Sequence, residues 1–168
     1  ATGATVKIAF NAGNLLKVAE SGWIIAGDND AFTKYQNGYP WNPGREKALT
    51  AAWQHNCRVV IPAFSDNGTK PTDFNDLYTL EGLPAVKDQI GGAVYPQEYI
   101  LKECETDPGA CYRKEHVLGL KLFEQRNKSG YMQLRAKLKK LNVGITDLEK
   151  TMNGTSVDGE DDEPDHLT

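Results

Sequence analysis

The stretch Trp23-Ile24-Ile25-Ala26-Gly27-Asp28-Asn29-Asp30 decides how the rest of the chain is interpreted. A short apolar run that ends at a polar break is typical of a buried, parallel β-strand. In open α/β sheets the functional groups lie just beyond the carboxyl ends of such strands, where Asp28 and Asp30 stand. Two carboxylates pointing the same way favour a shared cation such as Mg²⁺ or Mn²⁺. The alternative is a solvated turn, because Asp and Asn favour turns and D-x-D alone is a weak motif.

The flanking sequence predicts an α/β unit around this strand. Residues 5–10 alternate in polarity and predict a strand, residues 15–20 a short helix, and the strand at 23–26 follows, which makes a parallel βαβ unit. Residues 42–55 predict a helix with Asn42 as its N-cap, and residues 57–61 predict another strand. The loop at 31–41, with Lys34 in its middle, is interpreted either as a cover for the acidic residues or as an ordinary surface loop.

A second acidic cluster follows the strand at 57–61. Pro71-Thr72-Asp73-Phe74-Asn75-Asp76-Leu77 places carboxylates where they would reach the same sheet edge as Asp28 and Asp30. Capping of the next helix by Asp73 or Asn75 needs no metal, and both roles are compatible. Short helices are predicted after this cluster, at 77–80 and 81–90.

Charge changes sharply along the second half of the chain. Gly91-Gly92 is the predicted boundary of the α/β unit, and helices are predicted at 94–104, 114–125, 129–141 and 145–152. Seven basic residues of this part predict a surface that could contact nucleic acid: Lys121, Arg126, Lys128, Arg135, Lys137, Lys139 and Lys140. The alternative for them is a solvated face beside a packed leucine stripe. Residues 153–168 predict a disordered acidic linker.

Length and composition fit a folded chain that acts in the cytoplasm. The 168 residues are 39% hydrophobic and 25% charged, with a formal net charge of −4. No apolar run is long enough to span a membrane, and the start does not resemble a signal peptide. The three cysteines give an odd count without metal-ligand spacing, which argues against a disulfide framework. The absence of an initiator Met leads us to expect a piece of a longer protein.

Four motifs in order resemble the Toprim domains of plasmid- and phage-type DNA primases, including primase-helicase fusions. They are Val6–Leu15, Ile24–Asp30, Asn42-Pro-Gly-Arg-Glu-Lys-Ala48 and Pro71–Leu77. The resemblance covers about residues 5–91, and the helical part is similar to the region that joins Toprim to a helicase. We therefore expect an α/β Toprim-like fold, with a mostly parallel sheet flanked by helices, over residues 1–91. A small all-α segment over 92–152 and the linker at 153–168 follow.

The resemblance implies metal-dependent nucleotidyl transfer, with primer synthesis on single-stranded DNA from nucleoside triphosphates. Asp28, Asp30 and Asp73 would bind Mg²⁺ or Mn²⁺, and Asp76 or Asn75 would complete the acidic pocket. The candidate phosphate- or nucleic-acid-binding residues are Lys34, Arg45, Lys47, Lys137, Lys139 and Lys140. The family's catalytic glutamate on an earlier strand has no counterpart here, so we expect this fragment alone to be inactive.

Two other functions remain open at the level of sequence. One is a phosphohydrolase that uses the first Asp of the D-x-D as a nucleophile, although Ala31-Phe32-Thr33 fits its usual pattern poorly. The other is a non-catalytic module whose basic helices bind nucleic acid or a partner, such as a helicase domain or subunit. Arg45 and Lys47 oppose the dipole at the start of their helix, which is compatible with a nearby phosphate or carboxylate.

Overall fold

The computed structural model describes Lys7, residues 12–34 and residues 41–155. The chain is mostly helical there, with a two-stranded parallel sheet. Its elements are α1 (Ala12–Val18), β1 (Ile24–Ala26), α2 (Pro43–His55), β2 (Arg58–Val60), α3 (Phe74–Gly91), α4 (Pro96–Thr106), a 3₁₀ helix (Pro108–Tyr112), α5 (Lys114–Arg126), α6 (Lys128–Lys140) and α7 (Ile145–Gly154). The strand predicted at 5–10, Lys7 apart, and the tail from residue 156 lie outside the described residues. No helix within these ranges has the length and apolar character needed to cross a membrane.

The parallel pairing predicted for the D-x-D strand is confirmed for its neighbour β2, but the predicted burial is wrong for Ile24 and Ala26, which are exposed on either side of the buried Ile25. Ile25 lies opposite Val59 and Ala26 opposite Val60, and α2 makes the connection between the two strands. Gly27, directly after β1, lies so close to α2 that a Cβ there would be 2.5 Å from the Cβ of Ala48. The end of β1 and α2 therefore pack so closely that no side chain fits at residue 27.

The helix predicted at 42–55 is confirmed as α2, with the predicted cap. The Asn42 side chain accepts a hydrogen bond from the Arg45 N–H, and Pro43 occupies the first helical position, where its missing N–H costs nothing. Asn56 ends the helix in the left-handed conformation, with φ of 53°. Five apolar side chains of this helix are buried: Ala48, Leu49, Ala51, Ala52 and Trp53.

The two short helices predicted after the second acidic cluster form a single kinked element, α3. The kink lies at Gly82, which has φ of 83° and ψ of 175° and so takes a conformation that favours glycine. Pro84 lies just beyond the kink, where a helical turn begins again and proline is tolerated. Asp73 caps the start of α3, as predicted, whereas Asn75 lies within the helix.

The helix predicted at 94–104 begins later, at Pro96. Proline favours the first turn of a helix and disfavours a helical conformation in the residue before it. Val94 instead makes an antiparallel bridge to Val59 of β2. The sheet therefore includes a residue beyond the predicted boundary at Gly91-Gly92.

Two hydrophobic clusters make up the core, and Trp53 connects α2 to the second. The first lies between α1, α2 and the strands, and the second lies among α4 to α7. Trp53 is 5% exposed, packs against Phe123 with ring centroids 6.0 Å apart, and covers Gly119 of α5. Leu134 and Leu138 of the predicted stripe are buried and Leu141 is half-buried against the same cluster.

Gly119→Ala should destabilise the protein by roughly 1–3 kcal/mol, because a Cβ at this position would overlap the Trp53 ring and overpack the core. Urea unfolding followed by tryptophan fluorescence would measure the loss. Gly91→Ala is the matched control, since a Cβ there meets nothing within 4 Å. Equal stability of the two variants would contradict this packing.

Candidate active site

The acidic D-x-D segment lies where the ends of β1, β2 and the loop before α3 meet. The Gly27 N–H donates to the Val60 carbonyl at 3.0 Å, which extends the sheet by one bond. The Asn29 N–H donates to the Thr72 carbonyl at 2.6 Å, and the Asn29 side-chain amide donates to the Pro62 carbonyl at 2.8 Å. Both acidic clusters predicted from the sequence therefore belong to one edge of the sheet.

The first turn of α2 holds Asp30 and Asn29 in place. The Gly44 N–H donates to Asp30 Oδ2 at 2.9 Å, and the Asp30 N–H donates to Asn42 Oδ1 at 2.9 Å. The Asn42 side-chain amide donates to Asn29 Oδ1 at 2.8 Å. A Cβ on Gly44 would lie 2.7 Å from the Asp28 Cβ and 2.9 Å from Asp30 Oδ2, so only glycine permits this approach. The positive end of the α2 dipole also stabilises the Asp30 carboxylate.

Asp28 differs from its neighbours because its carboxylate has no hydrogen-bond or ion-pair partner among the described residues. Partial burial raises the pKa of the Asp28 carboxyl above its ordinary value, and the negative charges of Asp30 and Asp73 raise it further. Asp30 and Asp73 are thus close enough to Asp28 to repel its carboxylate. A cation at this edge would relieve that repulsion.

Asp73 and Asp76 have structural partners in the backbone. Asp73 Oδ1 accepts from the Asp76 N–H at 2.7 Å, and Asp76 Oδ2 accepts from the Thr72 N–H at 2.8 Å. These bonds fix the loop whose Thr72 carbonyl binds Asn29. The capping alternative for this cluster is therefore realised, and one oxygen each of Asp30, Asp73 and Asp76 is committed to a backbone N–H.

These residues fit only one mode of metal binding. In the part of the chain that the structure describes, no group of three or more His, Cys, Asp or Glu side chains is arranged to hold a metal ion. The free Asp28 carboxylate and the remaining oxygens of Asp30 and Asp73 suit Mg²⁺ bound through one or two carboxylates, with water and substrate phosphates as further ligands. A site in which the protein alone surrounds the ion is not formed.

The three cations predicted to contact phosphate occupy different surroundings. Lys34 is exposed at the end of the described part of its loop. Lys47 is exposed on α2 but is not without a partner in the protein. Arg45 turns to the helical segment, where it donates to Glu103 and Glu115, each at 2.6 Å. The carboxylate partners that the sequence left open as an alternative for Arg45 are thus present.

Arg45 belongs to a buried charged cluster between α2, α4 and α5. Glu115 is 4% exposed, and Arg113 also donates to Glu103 at 2.6 Å, so two guanidinium groups face two carboxylates. Burial raises the pKa of Glu103, but the hydrogen bond from His116 and the charges of Arg45 and Arg113 outweigh it and leave the pKa below its ordinary value.

His116 completes this cluster as a core residue. Trp53 Nε1, which can only donate, points at His116 Nδ1 at 3.4 Å. Nδ1 is therefore the acceptor, and Nε2 carries the proton that is donated to Glu103 Oε2 at 2.6 Å. His116 is fully buried, and its hydrogen bonds explain how a polar ring is accommodated there.

The seven basic residues predicted to contact nucleic acid fall into two groups according to their partners. Four have partners within the chain: Lys121 with the Thr155 carbonyl, Arg126 with the Gln54 carbonyl, Lys128 with Glu124, and Arg135 with Glu149. Lys137, Lys139 and Lys140 are exposed in the last turn of α6, where cations complement the helix dipole. Of the seven, these three lysines make no side-chain hydrogen bond or ion pair with a described residue.

Comparisons of the chain with protein-family models, with curated proteins and with solved structures gave no match.

The functional residues that could not be predicted from the sequence are those that support the acidic edge, that is, the edge of the sheet that carries Asp28, Asp30 and Asp73. Asn42 was predicted only as a helix cap, and Gly44 carried no signal that it contacts Asp28 and Asp30. Glu103 and Glu115 carried no signal in the sequence, because nothing local distinguishes a carboxylate that contacts a distant arginine.

Asp28→Asn should stabilise the protein at neutral pH by up to about 1 kcal/mol, a small effect because the side chain is exposed. The raised pKa means that an ionised Asp28 costs more free energy in the folded than in the unfolded protein. This penalty appears as the pH rises from the unfolded pKa of about 3.9 through the folded pKa, and it is absent below both. Thermal unfolding at pH 3 and pH 7 measures the difference. A gain that is the same at both pH values would contradict the repulsion.

Proposed function

We propose that the acidic edge binds a divalent metal ion together with the phosphates of a nucleotide, and that the parent protein performs metal-dependent nucleotidyl transfer. The observation that carries this proposal is the Asp28 carboxylate, which has no hydrogen-bond or ion-pair partner among the described residues and lies beside Asp30 and Asp73 at the end of a parallel strand. Such an edge is where α/β sheets bind their ligands. The resemblance to Toprim primases narrows the reaction to primer synthesis on single-stranded DNA.

In this proposal each residue of the edge has a distinct task. Asp28 and one free oxygen of Asp30 or Asp73 would hold Mg²⁺ or Mn²⁺. When bound, the ion would neutralise charge on the transferred phosphoryl group and favour ionisation of the attacking hydroxyl. Asn42 and Gly44 hold Asp30 and Asn29 in position through hydrogen bonds of 2.8–2.9 Å. Lys34 and Lys47 are the candidates for phosphate contacts, since the Arg45 guanidinium already binds two carboxylates.

A second candidate function is a non-catalytic module that binds nucleic acid or a protein partner. The observation in its favour is that Asp30, Asp73 and Asp76 each accept a backbone hydrogen bond, so the acidic residues already have a role in holding loops together. In that case the sheet edge would be structural, and binding would depend on the exposed lysines of α6.

Mn²⁺ titration followed by NMR separates the two candidates. The metal site predicts that the amide signals of residues 28–30 broaden first, with weak affinity, because substrate phosphates normally supply further ligands. Asp28→Asn should abolish this selective broadening. Asp66→Asn is the matched control, since Asp66 stands in an exposed loop and, among the described residues, accepts a hydrogen bond only from the Gly68 N–H. Broadening of all exposed acidic residues at the same Mn²⁺ concentration would leave the second candidate.

Binding of a labelled single-stranded oligonucleotide should depend on the three lysines of α6. Each phosphate contact contributes about −0.7 to the slope of log affinity against log salt, so replacing Lys137, Lys139 and Lys140 by Gln should reduce its magnitude by about 2. Fluorescence anisotropy across a salt series measures this slope. The control replaces Lys70, Lys87 and Lys102, which are also exposed. Equal slopes for the two variants would show that α6 does not contact the strand.

A further inference from the structure

The only guanidinium group in the first turn of α2 connects the acidic edge to the helical segment. The Arg45 N–H donates to Asn42 Oδ1 at 3.2 Å, and the same oxygen accepts from the Asp30 N–H at 2.9 Å. The Arg45 side chain extends away from this edge and donates to Glu103 of α4 and Glu115 of α5. The Arg45 backbone thus contacts the Asn42 side chain, which holds Asp30, and the Arg45 side chain contacts two helices that follow much later in the chain.

Burial and charge make this connection specific. The Arg45 side chain is 15% exposed and Glu115 is 4% exposed, so their pairing is shielded from solvent. A planar guanidinium can donate to two carboxylates at once, whereas a lysine ammonium is a point charge on a flexible chain. Glu103 is also held by Arg113 and His116, which keeps it in place for Arg45.

From these contacts we infer that Arg45 is a positioning residue for the acidic edge, and that metal binding there depends on the docking of α4 and α5 against the first turn of α2. Loss of the Arg45 contacts with Glu103 and Glu115 releases the first turn, and Asn42 and Gly44 with it. The Asp30 carboxylate then loses the orientation that its bond from the Gly44 N–H provides. The part of this proposal that concerns metal binding rests on the proposed function, whereas the positioning of Asp30 by Arg45 does not.

The variant that tests the connection is Arg45→Met with Glu115→Gln, which removes one charge of each sign and leaves Glu103 paired with Arg113 and His116. The matched control is Arg135→Met with Glu149→Gln, which removes a 2.6 Å ion pair between α6 and α7. Arg45→Lys is a second, milder variant that keeps the charge but not the two-carboxylate geometry. Circular dichroism establishes that each variant is folded.

Two measurements on the full chain test whether the loss of these contacts reaches the acidic edge. Amide hydrogen exchange at Asp30 and Gly44, whose N–H groups bond to Asn42 and Asp30, should be faster in both Arg45 variants and unchanged in the control. The affinity for Mn²⁺ alone at residues 28–30 should fall by about tenfold or more, as is usual when support of metal ligands is lost.

Exchange at Asp30 and Gly44 that is unchanged in both Arg45 variants, or raised equally in the control, would overturn the positioning role. A wild-type chain that binds no Mn²⁺ at residues 28–30 would overturn the proposed function instead. The exchange measurement would then still decide whether Arg45 holds the edge.

Discussion

The close approach of the first turn of α2 to the end of β1 is the constraint on which the other features of the site depend. Gly27 and Gly44 both lie where a Cβ would collide, the first with Ala48 and the second with Asp28. The absence of these two side chains lets the helix N-terminus reach the Asp30 carboxylate and lets Asn42 bond to its N–H. The electrostatics of the acidic edge are thus a consequence of local packing. Three carboxylates are brought together, the helix N-terminus binds that of Asp30, and that of Asp28 has no partner in the part of the chain that the structure describes.

The buried charged cluster around Arg45 has a different physical character. Two guanidinium groups and two carboxylates balance in charge, and His116 links them to the Trp53 indole. Buried ion pairs contribute little net stability, because desolvation offsets their attraction, yet loss of a single partner is costly. We therefore expect this cluster to act mainly on specificity. It fixes how α4 and α5 dock on α2, while the apolar contacts of Trp53 supply the attraction.

Local signals in the sequence were sufficient for the elements but not for their long-range contacts. Asn42-Pro43 predicted the start of α2, Asp73 predicted the cap of α3, and the run before Asp28 predicted a strand with a parallel neighbour. Each of these depends on residues within one turn of each other or on a simple periodicity. Val94, by contrast, was assigned to a helix because its bridge to Val59 is not visible locally.

The same limit applies to the site. The D-x-D pattern located the acidic edge, and the placement of Asp73 beside it followed from the geometry of parallel sheets. The partners of Arg45 lie 58 and 70 residues away, and no periodicity connects them. A sequence can suggest that a cation at a helix start needs an anion, but only the fold determines which anion it meets.

The weak anchoring of α3 has a consequence for the order in which the molecule opens. Leu77 is the one buried residue of this 18-residue helix, whereas Tyr78, Leu80 and Leu83 are about half exposed. Segments with few buried apolar contacts occupy the low end of the range of local unfolding free energies. Since Thr72 and Asp73 lead into α3, one side of the acidic edge is attached to a helix with few buried contacts, which opens at low cost in free energy. The other side is formed by α2, which buries five apolar side chains. The acidic edge therefore has one rigid side and one side that can move to fit a ligand.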